Sequence, residues 1–247
     1  MPLEPAQAEP LLLVPGLMCD AAVWQPVMPA LGSGRECRVV DHGEADNFDQ
    51  MARQLLDAAP PRFALAGHSM GARVALEVLR QAPARVSRVA LLDTGYLARA
   101  PGAAGEEETR KRHALLDVAR REGVRAMARQ WVQGMVHPGR LNDAPLLEAI
   151  VAMFERKSAD TFERQLRALL QRPDASDVLR GIRVPALVMC GRQDSWAPVA
   201  QHEAMHALIP GATLAVTEDA GHMAPMERPA AVAAVLQRWL TAPAKAS

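Results

Sequence analysis

Apolar residues run unbroken through Leu11, Leu12, Leu13 and Val14, stop at Pro15-Gly16, and then recur at helical spacing through Ala21, Val23, Trp24, Val27, Met28 and Leu31. A short uninterrupted apolar run suits a parallel strand buried on both faces. The spaced set predicts a helix over 20–31 with Asp20 as its N-cap. The pair then repeats: strands are predicted at 37–40, 62–66 and 86–92, and helices at 72–81 and at 48–59, the latter with Met51, Leu55 and Leu56 turned inward. Strand and helix alternating over short connections predict a parallel, doubly wound sheet.

That rhythm breaks at residue 98. Residues 101–105 read as a loop and Glu106-Glu107-Glu108 as an acidic helix start, followed by helical patterns over 110–121, 124–136, 144–156 and 159–171, with breaks at Gly123, Pro138-Gly139 and Pro173. No strand pattern interrupts them. The expectation is a helical cap, 98–180, inserted into a core domain made of 1–97 and 181–247, rather than extra helices completing a core layer. Alternation resumes with strands at 186–190 and 213–216 and helices at 199–209 and 228–240, the last with Val232, Val235, Leu236, Trp239 and Leu240 inward. The total is about six parallel strands, and the tail 241–247 is expected to fray.

Composition narrows the function. Lys and Arg number 28 and Asp and Glu number 28, so no net field favours nucleic acid or an anionic membrane, and 49% apolar residues supply an ample core. No apolar run reaches the ~20 residues of a spanning helix, so no membrane insertion is expected. Residues 1–10 carry no basic and apolar signal pattern, and we expect no signal peptide. The three cysteines, Cys19, Cys37 and Cys190, are odd in number and lack metal-ligand spacing. Free thiols in a reducing compartment, a cytoplasm, are the expectation.

Candidate chemistry centres on Gly67-His68-Ser69-Met70-Gly71, which follows a predicted strand and precedes a predicted helix. In that setting the pattern is a nucleophile elbow, with glycines where a Cβ would collide with neighbouring backbone. A serine hydroxyl needs a base and a group that orients the base. In an open α/β sheet the ligand crevice lies beyond the carboxyl ends of the strands. Asp194, in Gly191-Arg192-Gln193-Asp194, and His222, in Asp219-Ala220-Gly221-His222, both follow predicted strands. Asp93, at the end of the fourth strand, is a rival acid; its alternative role is to cap the turn at Thr94 and Gly95. His68 is expected to point away from the crevice by alternation. The helix N-terminus beneath Ser69 offers the Met70 N–H to a developing oxyanion.

These motifs, Leu-Val-Pro-Gly-Leu (13–17), Gly-His-Ser-Met-Gly (67–71), Gly-Arg-Gln-Asp-Ser-Trp-Ala-Pro (191–198) and Ala-Gly-His (220–222), resemble in order and spacing those of the α/β-hydrolase superfamily, in the branch of small bacterial serine esterases with a helical cap. The resemblance covers essentially the whole chain. It implies Ser69 as nucleophile, His222 as general base and then acid, and Asp194 as the orienting carboxylate. It also implies an oxyanion hole from the backbone N–H groups of Leu17 and Met70. The chain departs from the family where many relatives have His-Gly in place of Pro15-Gly16, and where a third glycine is frequent at Ala72. With only ten residues before Leu11, three of them proline, the early antiparallel strands of such relatives are expected to be missing.

The implied function is hydrolysis of carboxylic esters through an acyl-enzyme, with a small-molecule ester as partner and no cofactor or metal. Met18, Trp131, Met135, Phe154 and Met223 are candidates for an apolar acyl pocket, although helix packing explains such residues as well. Lactone hydrolysis, carbon–carbon hydrolysis and acyl transfer use the same triad. A non-catalytic receptor that keeps the pocket is a rival of another class. His202-Glu203-Ala204-Met205-His206 matches a zinc-protease pattern, but the inward stripe of that helix is read as Ala200, Ala204, Met205, Leu208 and Ile209, with no third ligand in view. Arg110, Lys111, Arg112, Arg120, Arg121, Arg125 and Arg129 are interleaved with acids and read as a solvated face; docking of an acidic acyl carrier protein is the alternative.

Overall fold

The computed structural model describes residues 8–31 and 34–243. The segment 1–7, on which the expectations about a signal peptide and early strands partly rest, lies outside the described residues, as does 244–247 of the tail. A single sheet runs in the order β2-β1-β3-β4-β5-β6, built from β1 (Ala8–Val14), β2 (Arg35–Val39), β3 (Phe63–His68), β4 (Val86–Leu92), β5 (Ala186–Gly191) and β6 (Thr213–Thr217). All five pairings are parallel. Every residue of β3 and β5 is buried, as their apolar runs require, whereas edge strand β2 alternates half-buried with exposed positions.

Between the strands lie α1 (Met28–Leu31), α2 (Phe48–Ala58) and α3 (Met70–Gln81), and after β5 come α9 (Val199–Leu208), α10 (Ala224–Glu227) and α11 (Pro229–Thr241). The connection from β4 to β5 carries α4 (Gly102–Glu122), α5 (Val124–Trp131), α6 (Ala144–Glu155), α7 (Ala159–Leu170) and α8 (Ser176–Gly181), and no strand. Helix α1 packs on α11, while α2, α3, α8 and α9 form a second run of contacting helices. No described helix is long and apolar enough to cross a membrane.

Several local expectations fail for physical reasons. The helix expected over 20–31 is a 3₁₀ turn at Ala21–Val23, capped by Asp20, and then the short α1; Pro26 and Pro29 remove the N–H groups a continuous helix needs. Helix α4 begins at Gly102, so 101–105 is not a loop. Pro101 sits before the first turn where a missing N–H costs nothing, and Gly105 packs against the Ala100 carbonyl where a Cβ would overlap. Helix α5 stops at Trp131 and tightens into a 3₁₀ turn at Val132–Gly134.

Candidate active site

The chain reverses direction across the sheet between β1 and β3, which are neighbours, so a crevice opens at their carboxyl ends. Ser69 sits there between β3 and α3, with φ +54° and ψ −117°, a conformation that L side chains rarely adopt. The turn closes only because its flanks are bare: a Cβ on Gly71 would overlap the Val14 carbonyl, and one on Gly67 would overlap the Gly71 carbonyl and Ala72 backbone.

Two loops bring polar groups to Ser69. His222, on the loop after β6, places Nε2 2.8 Å from Ser69 Oγ and Nδ1 2.8 Å from Asp194 Oδ2. Asp194, after β5, accepts the Trp196 and Ala197 amides at its other oxygen, at 2.9 and 3.0 Å. Burial pushes the Asp194 carboxyl up, but the facing His222, that hydrogen bond and the two amides outweigh burial and hold it below the usual range. With Nδ1 donating to a fixed carboxylate, Nε2 is left to accept the Ser69 hydroxyl proton.

Asp93 does not cap the turn at Thr94 and Gly95. Its Oδ1 accepts the Gly191 amide at 2.9 Å while Oδ2 is buried without a hydrogen-bond partner among the described residues, and burial and the nearby Asp194 charge raise its carboxyl well above the ordinary range. The Thr94 amide instead donates to His202 Nε2 at 3.0 Å, and the Thr94 hydroxyl to the Ser69 carbonyl at 2.9 Å. His68 is tucked under the site rather than turned away from it: Nε2 donates to the His222 carbonyl at 2.8 Å, and the two rings lie 5.5 Å apart. Its place behind the base loop, rather than strand alternation, sets its direction.

Gly16 runs against the serine, so close that a Cβ there would stand 3.2 Å from Ser69 Cβ. This sets the Gly16-Leu17 segment against the turn that carries Ser69 and Met70, and neither the Leu17 nor the Met70 amide is used in a hydrogen bond among the described residues. The next residue, Met18, has φ +61°, and its N–H donates 2.8 Å to Oε1 of Gln165 on α7, a contact spanning 147 positions. The Met18 side chain is wholly buried and is not part of the cavity wall; the left-handed backbone turns it into the core. The base loop has a similar tie. The His222 amide donates to the Met135 carbonyl at 2.6 Å, and the Glu227 carboxylate bridges the amides of Gly221 and His137 at 2.8 and 2.7 Å.

A cavity of about 410 Å³ opens above Ser69, and Trp131, Met135, Phe154 and Met223 stand in its wall. Trp196 was not foreseen. Its ring stacks on Trp131 at 5.5 Å and lies 4.9 Å from the His222 ring, and with Leu97 it is one of two large exposed apolar side chains among the described residues, both in the cavity wall. Arg73, Arg112 and Arg172 also line the cavity, so Arg112 is not part of a solvated face. Arg73 had a sequence signal, since it falls in the first turn of the helix that follows Ser69, next to the crevice. Gln165 and Arg172 had none.

The zinc-like pattern on α9 is engaged otherwise. His202 faces inward with Met205 and Ile209, while Ala200, Ala204 and Glu203 are exposed, because the Thr94 amide draws His202 under the sheet end. His202 Nδ1 donates to the Pro198 carbonyl and His206 Nε2 to that of Ala212. Of the basic residues on α4 and α5, Arg110, Lys111, Arg120 and Arg125 each pair with a glutamate.

The family model described as alpha/beta hydrolase family matches residues 11–235. The chain is 27% identical to the pimeloyl-[acyl-carrier protein] methyl ester esterase of Aliivibrio salmonicida over 239 residues, covering 86% of this chain and 84% of that protein. Its structure resembles a malate-bound thermophilic esterase from Thermogutta terrifontis, with a TM-score of 0.81, 26% identity, and coverage of 94% of this chain and 89% of the other. It also resembles, at the level of the fold, the enol-lactonase from Burkholderia xenovorans LB400, with a TM-score of 0.82, 23% identity, and 97% and 94% covered.

Proposed function

The chain belongs to the alpha/beta hydrolase family, and from that premise we propose that it is a serine hydrolase of carboxylic esters. The observation that carries this reading is the unbroken relay from Ser69 Oγ through His222 to Asp194, with both contacts at 2.8 Å, on the floor of a cavity. Ser69 attacks the ester carbonyl as His222 Nε2 takes its proton. The Leu17 and Met70 amides receive the oxyanion, an arrangement supported by the close passage of Gly16 against Ser69 and by the absence of a hydrogen bond from either amide among the described residues. Expulsion of the alcohol, protonated by His222, leaves an acyl-serine. Water, deprotonated by the same nitrogen, then releases the acid.

In this reading residues 98–180 act as a cap over a core of 1–97 and 181–247, enclosing the acyl group between Trp131, Phe154 and Trp196. The substrate is a free small molecule: the Aliivibrio relative is named for a carrier-protein ester, but here Arg110 and Lys111 share Glu107, and Arg120 and Arg125 are engaged by Glu163, Glu148 and Glu155, which leaves little free positive charge for an acidic carrier. Replacing Ser69 by Ala is expected to lower kcat by roughly 10⁴- to 10⁶-fold. Fluorophosphonate labelling that maps to Ser69, together with turnover of short-chain esters, supports the reading. Undiminished turnover by S69A, or an unlabelled wild-type serine, overturns it.

A further inference from the structure

The cavity wall changes character away from the aromatic residues. Arg73, Arg112 and Arg172 gather in it around one carboxylate, Glu108. Arg172 meets Glu108 with both terminal nitrogens, at 2.8 Å each, and Arg112 Nε reaches the same carboxylate at 2.9 Å. That one acid is therefore spent on two cations. Arg73 is left over: its Nη1 is buried with no hydrogen-bond partner among the described residues. Asp174 also lies in its field, but that side chain is exposed and accepts the Ser176 amide at 2.8 Å. Around Glu108 three guanidinium groups thus share one carboxylate; the other acid in the wall, Asp93, accepts the Gly191 amide and is raised well above the ordinary carboxylate range by burial.

An unpaired guanidinium in a cavity wall is expensive unless something arrives to pair with it. Burial, then repulsion from Arg172, draws Arg73 down to about 9, which still leaves it cationic at neutral pH. A planar fork of N–H donors is suited to a carboxylate, which it binds through two parallel bonds. Arg73 also stands in the first turn of α3, directly after the nucleophile turn, and shares the cavity wall with Ser69. The anion it would take is therefore a short chain away from the scissile carbonyl.

We propose that the substrate is an ester that carries a second, ionised carboxylate, and that Arg73, backed by the Arg112–Glu108–Arg172 cluster, binds that carboxylate. The proposal rests on the ester-hydrolase reading above and deepens it. The carboxylate sets the register of the substrate, so that only one ester carbonyl falls over Ser69, and the aromatic wall covers the methylene chain between them.

The test compares monomethyl esters of succinate, glutarate, adipate and pimelate with neutral methyl alkanoates of matching length, followed by pH-stat. The best hemiester is expected to exceed its neutral partner at least tenfold in kcat/KM, through KM. Free adipate is expected to compete with a neutral ester. In R73Q and in R172Q the hemiester preference should fall to within about twofold, and R73K should restore part of it. Equal rates for charged and neutral esters in the wild type, without competition by adipate, overturn the proposal while leaving ester hydrolysis intact. Calorimetric binding of adipate to S69A, lost in S69A/R73Q, reads the anion site without turnover. It therefore separates failure of this site from failure of the catalytic reading.

Discussion

Ser69 lies at a backbone position better suited to glycine, with φ +54° and ψ −117°, and it is held there by the close passage of Gly16 and the bare flanks at Gly67 and Gly71. Such strain costs about 1–3 kcal/mol and persists only where the surroundings insist on it. Two hydroxyl-free variants separate strain from chemistry. S69G and S69A are both expected to be inactive, but S69G should be the more stable by about 1 kcal/mol, read from urea midpoints. Equal midpoints would mean that the elbow relaxes when its hydroxyl is removed. The same residue-level logic explains the inert cysteines. Burial pushes the Cys19 and Cys190 thiols up to about 12, far from thiolate formation at neutral pH.

At the scale of elements, Gln165 matters more than its position suggests. It lies on α7, yet it accepts the amide of Met18, the residue after the proposed oxyanion donor Leu17. Q165M, close in volume but without the acceptor, is expected to lower kcat roughly tenfold on a neutral ester with KM little changed, since loosening an oxyanion donor costs less than the ~10²-fold of deleting one. A KM effect alone would assign Gln165 to substrate contact instead. Elements also explain what was legible in the chain. Ser69, Asp194 and His222 were legible because the fold puts chemistry after strands, so a residue's place in the strand pattern is enough to find it. The alternation that located β1 to β6 is likewise local. Gln165, Arg172 and Glu227 act across long sequence separations, and nothing near them in the chain marks that role. Prolines inside an otherwise periodic stretch, at positions 26 and 29, misled the reading for the opposite reason: the apolar spacing was right but the backbone could not follow it.

For the whole molecule, buried titratable groups set how stability changes with acid. His68 is pushed down from 6.5 to about 3 by burial and by the His222 charge, and burial lowers His42 and His202 as well. Unfolding frees such a histidine to bind a proton, so its contribution to stability is intact above ~6.5 and is lost as pH falls toward the folded value. Asp93 and Glu227, both raised by burial, act with the opposite sign: their contribution is full below the ordinary carboxylate range and is lost as pH rises from there through their folded values. Comparison of wild type with H68Q isolates one histidine. Between pH 7 and pH 5 the wild type is expected to lose about 2 kcal/mol more than H68Q in denaturant titrations; parallel curves would show that His68 protonates freely in the fold. The two ties from the helical connection, Gln165 to Met18 and Met135 to His222, have a consequence for recombination. Exchanging residues 98–180 for the matching part of a relative would remove supports of both the His222 loop and the Met18 amide. A library of such hybrids would therefore select first for a side-chain acceptor at 165 and a matching backbone at 135–137, and only then for a new substrate.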